Sequence, residues 1–289
     1  MLDFTFLNDL YSGFSGEVSV AFQAIDKPDS YTHNPETTML AASLIKLPIL
    51  LATLEGVAQG RLELTERVPL RAEDRVSGSG VLKTLGEGLT PTLHDLLTLM
   101  IVVSDNTATN MVIEHIGLQT TNTFCAQHGF RATHLVGKLQ LPEAQMNEAQ
   151  RRGERNRTCA ADMLGMLVGL VRGDLLPPTQ TETALAILKA QQLDEGLARL
   201  LPTDEELDTP HLTVASKSGS VRGVRHDVGV VYRAGAPLYA LVVMTSEGKD
   251  LRYYADNEGL KLIAEASRRI YNAVSEEGNQ DVSKEAGGN

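Results

Sequence analysis

Ser43 and Lys46 stand three residues apart in Ser43-Leu44-Ile45-Lys46. On a helix that spacing puts a hydroxyl and an amine on one face, about 5 to 6 Å apart at Cβ. A neutral amine so placed can take the hydroxyl proton and make the serine a nucleophile, and a serine near a helix start also feels the positive end of the helix dipole, which favours an oxyanion beside it. Lys46 must be at least partly uncharged to act as a base, a state that desolvation and a neighbouring cation both promote. Taken alone the spacing says little, since chance supplies it in roughly every second chain of such Ser and Lys content. Ser246-Glu247-Gly248-Lys249 has it too, but in a polar turn after a strand, with no helix to hold the pair on one face. Ser43 is instead followed by a buried-helix pattern whose Pro48 marks its first turns.

Two further tripeptides carry chemistry. Ser104-Asp105-Asn106 follows an apolar helix ending at Val103, where its polar side chains emerge at a loop or at the next helix start; it can equally be a cap for the helix carrying Asn110 and Ile113. Lys217-Ser218-Gly219 ends the strand-like run from Leu212, where Gly219 lets a ligand backbone approach and Lys217 can face a carboxylate; a polar hairpin end is the alternative. All three motifs together arise by chance in on the order of one chain in a thousand.

With these motifs in this order, the chain resembles the class A β-lactamase and penicillin-binding protein family of serine hydrolases, from the first strand to the last helix, including SDNTATNMVIEHIG and SKSGSVRGVRHDVGVVY. The resemblance implies that Ser43 is acylated, that Lys46 is its base or proton relay, and that Ser104 passes a proton to the leaving β-lactam nitrogen. It implies that Asn106 holds the substrate amide and that Lys217 and Ser218 bind its carboxylate, helped by Arg222 or Arg225. The backbone N–H groups of Ser43 and Ser220 would form the oxyanion hole, worth about 3 to 4 kcal/mol per donor. Release of the acyl group requires a water activated by a carboxylate, in the family a Glu followed four residues later by Asn. Glu143 and Asn147 have that spacing, without the usual Pro after the Glu and in a longer loop; Glu143 is read either as this base or as a solvated loop residue, with Glu148 and Glu154 as weaker alternatives. The segment VSGSGVL lacks the family's aromatic substrate contact. Three activities follow: a serine β-lactamase, a hydrolase of peptides, esters or amides on the same scaffold, or a penicillin binder or sensor that stays acylated.

The elements that must position these groups are legible as patterns. Glu17 to Ile25 reads as a strand; from Ala41 to about Arg172 the pattern is helical, with Thr90-Pro91-Thr92 as a start and Gly117 and Gly129 as stops. A helix around Thr183 to Gln191 leads to three strand-like runs, Leu212 to Ser216, Val224 to Tyr232 and Leu238 to Thr245, then an amphipathic helix over Asp256 to Ala273. The expected fold is therefore α/β in the α+β sense: an antiparallel sheet flanked by helices, with an inserted all-α lobe. Residues 1–36 and 176–276 form the α/β lobe, 37–175 the inserted lobe, and 277–289 a disordered tail.

A chain of 289 residues, 42% apolar, can bury a large core. Its net charge of -11 and lack of a basic run speak against nucleic acid. The longest apolar stretch near a terminus, Leu47 to Ala52, is far short of a membrane span, and MLDFTFLNDLYSGFSG has no signal-peptide pattern, so the reading is cytoplasmic, with a secreted or periplasmic protein as the alternative. Cys125 and Cys159 read as buried structural thiols, the seven His show no metal-ligand spacing, and neither metal nor cofactor is expected. The expected partner is a small β-lactam or related amide or ester substrate, met by a monomer.

Overall fold

The computed structural model describes residues 2–203 and 212–286, and side chains as far as Glu276. A short helix α1 (Asn8–Gly13) precedes strands β1 (Glu17–Ala24) and β2 (Ser30–His33). The chain then passes through β3 (Met39–Leu40) into helices α2 (Lys46–Ala58), α3 (Leu93–Val102), α4 (Asn106–Ile116), α5 (Leu118–Gln127) and α6 (Glu148–Arg151). After β4 (Arg157–Thr158) come α7 (Ala160–Arg172) and α8 (Pro178–Lys189), then the meander β5 (Leu212–Val221), β6 (Val224–Arg233) and β7 (Ala236–Ser246), and finally α9 (Glu258–Ala286).

The five-stranded sheet is antiparallel with order β2-β1-β7-β6-β5, so the amino-terminal strand does join the carboxy-terminal meander, and β5 lies at the edge. Side chains alternate across the sheet. Ala21, Ala215, Val228, Val230, Val242 and Met244 pack with the helices α2 to α8, whereas Val20, Val231, Leu241 and Val243 pack against α9 and the amino-terminal segment. The helical block therefore shares one continuous core with the inner face of the sheet.

Local chemistry explains the boundaries. Thr92 caps α3 reciprocally with Asp95, Gly117 ends α4 at φ 81°, and Gly173 ends α7 in the left-handed conformation. Three expectations are corrected. The helix expected from Thr183 begins at Pro178, because proline is favoured in the first turn. The segment expected to be all-α contains the two-residue ladder β3–β4, too short to leave an alternating pattern. Helix α9 continues to Ala286 where a disordered tail was expected from 277, a stretch that contains no Pro; residues 287–289 lie outside the described residues. Cys125 and Cys159 are buried and unpaired, and burial pushes their thiols up to about 12 and 11.

Candidate active site

A cleft of about 660 Å³ lies between the edge strand β5 and the loop from Lys138 to Asn156, and Ser43 lines it together with Asn106, Ser220 and Arg222. Ser43 sits in a single 3-10 turn, Ala42–Ile45, and Lys46 is the first residue of α2. In a 3-10 turn residues i and i+3 eclipse, so the pair shares a face through this tighter turn and not through an α-helix proper. Ala42 at φ 45° and Ser104 at φ 53° both hold the left-handed conformation that non-glycine residues seldom adopt. Strain thus brackets the site on both sides.

Lys46 is fully buried, and its Nζ lies 2.7 Å from the Ser104 carbonyl, 3.0 Å from Ser104 Oγ and 2.9 Å from Asn106 Oδ1. Burial is the largest force on this amine and holds its pKa well below 10.5; the Lys217 charge adds to the depression and Asp105 opposes it. The start of a helix is also a poor place for a cation. Nζ donates to all three oxygens, the Ser104 carbonyl, Ser104 Oγ and Asn106 Oδ1.

Lys217 is fully buried one strand away, donating to the Ser218 carbonyl at 2.7 Å, and burial pulls its amine down to about 7 while Asp227 pulls it up. Asp227 itself is pushed up to about 7 by burial; its Oδ2 accepts from the Leu197 N–H at 2.8 Å. Gly219 has no side chain for good reason: a Cβ there would stand 3.2 Å from the Ser43 and Leu44 nitrogens, in the space where the strand edge meets the Ser43 turn. Ser220, exposed on β5, lines the cleft with Ser43, so the two backbone N–H groups named for an oxyanion hole belong to residues facing one space.

Asp105 caps α4 through Ala108 N–H at 2.9 Å, as the capping alternative had it, and its other oxygen accepts from the Val81 and Leu82 N–H groups, both at 2.7 Å. A Cβ on Gly80, at φ 101°, would collide with that carboxylate. Asp105 therefore fastens the segment whose Gly78 and Ser79 line the cleft.

Glu143 is exposed in the 3-10 turn Glu143–Gln145 that Pro142 initiates, outside the cleft lining. Asn147 is also outside it: its Oδ1 caps α6 through the Gln150 N–H at 2.9 Å and its Nδ2 donates to the Val136 carbonyl at 2.7 Å. Glu148 and Glu154 are exposed and bonded to Arg152. Among the described residues, those lining the cleft include no Asp or Glu. What the loop presents instead is Leu139, Gln140, Leu141 and Met146, and the part nearest α4 is pinned by Asn110, which accepts from the Leu139 N–H at 2.7 Å and donates to the Leu139 carbonyl at 2.8 Å.

Arg222 lines the cleft, but Arg225 is buried: its guanidinium donates to the carbonyls of Val221 and Val224, both at 2.7 Å, and of Arg252, and packs 4.5 Å from the centre of the Tyr253 ring, which does line the cleft. Sequence reasoning missed His226. Its Nε2 donates to the Leu40 carbonyl at 2.9 Å and its Nδ1 accepts from the Thr245 N–H at 3.2 Å, tying the sheet to the segment just before Ser43; burial pulls this ring down to about 4, so it is neutral at pH 7. No short motif marks His226 or Asn110.

Comparison with known proteins matches this geometry to one group. A family model described as "Beta-lactamase enzyme family" matches residues 5–274. A beta-lactamase of Rhodobacter capsulatus is 29% identical over 239 residues, 82% of this chain and 77% of that protein. The crystal structure of a beta-lactamase from Sphaerobacter thermophilus superposes with TM-score 0.84 at 29% identity, covering 95% of this chain and 98% of the other. A leucine-to-glutamate mutant of PBP-A, solved as an acyl-enzyme complex with penicillin G, superposes with TM-score 0.78 at 26% identity, covering 93% and 95%.

Proposed function

The chain belongs to the beta-lactamase enzyme family, and from that premise we propose that it opens β-lactam amides by acylating Ser43 and releases the acyl group slowly. The observation that carries the first half is the buried Lys46, bonded to Ser104 and to the cleft-lining Asn106, whose amine burial holds well below its usual pKa. Lys46 takes the proton of Ser43 as its Oγ bonds to the lactam carbonyl carbon. The oxyanion rests on the N–H groups of Ser43 and Ser220, a contribution of about 3 to 4 kcal/mol per donor. As the C–N bond breaks, the proton passes from Lys46 through the Ser104 hydroxyl to the leaving nitrogen, leaving an ester on Ser43. Asn106 orients the acyl amide. Arg222 at the rim and Lys217 behind the strand supply the positive field for the ring carboxylate.

Hydrolysis of that ester needs an activated water. With Glu143 exposed and no carboxylate among the cleft-lining residues, general-base help, usually worth about 10²- to 10⁴-fold, is missing on the loop side. A second reading, steady β-lactamase turnover, is favoured by the names of the relatives in Rhodobacter capsulatus and Sphaerobacter thermophilus; it requires Lys46 itself to activate the water. One experiment separates the two. Protein mixed with a chromogenic cephalosporin should give one equivalent of colour followed by slow release, and Ser43→Ala should give none. Linear turnover beyond one equivalent from the first seconds favours the second reading.

A further inference from the structure

The protein is acidic, with 37 Asp and Glu against 26 Lys and Arg, yet the cleft lining carries Lys138, Arg155 and Arg222 and no acid. Following each charge to its partner sharpens the contrast. Lys138 is neutralised by Glu114 at 2.6 Å. Glu154, adjacent to Arg155, is bonded by Arg152 at 3.0 Å. Arg155 donates only to neutral acceptors, the carbonyls of Gln150 at 3.0 Å and Glu154 at 2.8 Å, which orient its guanidinium without spending its charge. Arg222 makes no hydrogen bond or ion pair among the described residues, and Arg225 is turned inward onto three carbonyls. Two arginines without an acidic partner among the described residues therefore line the cleft on different walls: Arg222 past the end of β5, Arg155 on the loop wall beside Asn156, whose carbonyl accepts from the Ala41 N–H two residues before Ser43.

One anion is accounted for by the carboxylate of the β-lactam ring, on the β5 side. We propose that Arg155 receives a second one: the preferred acyl donor carries a carboxylate on its acyl side chain. The inference rests on acylation of Ser43. Asn106, which holds the acyl amide in that reading, lines the cleft together with Leu139, Leu141, Met146 and Arg155. An acyl group held at Asn106 therefore shares the cleft with apolar side chains and with an arginine that has no acidic partner. A planar fork that is already oriented suits a carboxylate, which it can bind through two parallel hydrogen bonds.

Benzylpenicillin and carbenicillin test this, since they differ by one carboxylate on the acyl side chain. The second-order rate of adduct formation on the intact protein, read by mass spectrometry at low salt, should favour carbenicillin by about three- to fivefold, the range of an exposed ion pair. The preference should shrink at about 1 M salt. Arg155→Gln should abolish it while benzylpenicillin stays within about twofold, and Arg222→Gln should slow both penicillins alike. Thermal melts of both variants confirm that they fold. No preference in the unmodified protein, or a preference that survives Arg155→Gln or disappears only with Arg222→Gln, overturns the assignment. No adduct with either penicillin is a different result, which overturns the acylation of Ser43 and this inference with it.

Discussion

The floor of the cleft and its loop wall are built in opposite ways. Behind the floor, Lys46 and Lys217 are wholly buried and Ser104 nearly so, and Lys46 Nζ has three partners at 2.7 to 3.0 Å. The wall from Lys138 to Asn156 is largely exposed, its acids point to solvent or to Arg152, and its cleft side carries apolar, amide and cationic side chains. The difference teaches that the two halves of a serine hydrolase cycle can be specified separately. In the proposed reading, formation of the ester needs a rigid, desolvated base, and buried Lys46 fills that role. Its breakdown needs a carboxylate against a water, which the wall does not present.

The largest expected break of this contrast is at Lys46. Lys46→Met keeps the volume and removes the base, and should slow adduct formation by about 10²- to 10⁴-fold in a mass-resolved time course, with the fold retained. The pH profile of acylation sharpens the same point: because the pKa of Lys46 is held well below 10.5, the acidic limb of the rate should lie far below that of an ordinary lysine.

His226 comes next. With its ring pulled from 6.5 to about 4, the folded protein binds fewer protons than the unfolded chain between those values, so stability rises with pH across that window and is lost as pH falls through it. The loss amounts to about 3 kcal/mol by pH 4, and a melting series from pH 7 to pH 4 should show a slope that His226→Gln flattens.

Asn110 is smaller. Asn110→Ala strands the Leu139 N–H and carbonyl and should cost about 2 kcal/mol in denaturant unfolding, together with loosening of the loop wall but little change in the initial acylation rate. The smallest effect belongs to Glu143. Glu143→Gln should leave both acylation and release within about twofold, because an exposed carboxylate outside the cleft has nothing to activate. A variant that traps the adduct while the parent releases it would restore Glu143 as the base.

What the sequence made legible divides along the same line. Ser43 with Lys46, the Ser104-Asp105-Asn106 stretch and Lys217-Ser218-Gly219 are local strings, readable without knowing the fold. The strand and helix order is likewise legible, because periodicity and caps such as Thr92 and Gly117 are local. The Glu143 to Asn147 spacing satisfied the string without the geometry, since Pro142 and the cap of α6 decide where those side chains go. Asn110 to Leu139, Gly80 to Asp105 and His226 to Leu40 join residues 29, 25 and 186 positions apart. Such pairs exist only once the chain has folded, and a lone Asn, Gly or His does not announce its partner.

The central claim is that the floor acylates and the wall does not release. The most direct measurement is the mass of the intact protein, followed in time after excess benzylpenicillin is added and then removed. The account predicts one penicilloyl adduct per chain, located on Ser43, that persists for many minutes after the free drug is gone. An unmodified mass throughout, or an adduct that vanishes within seconds while penicillin is consumed steadily, would contradict it.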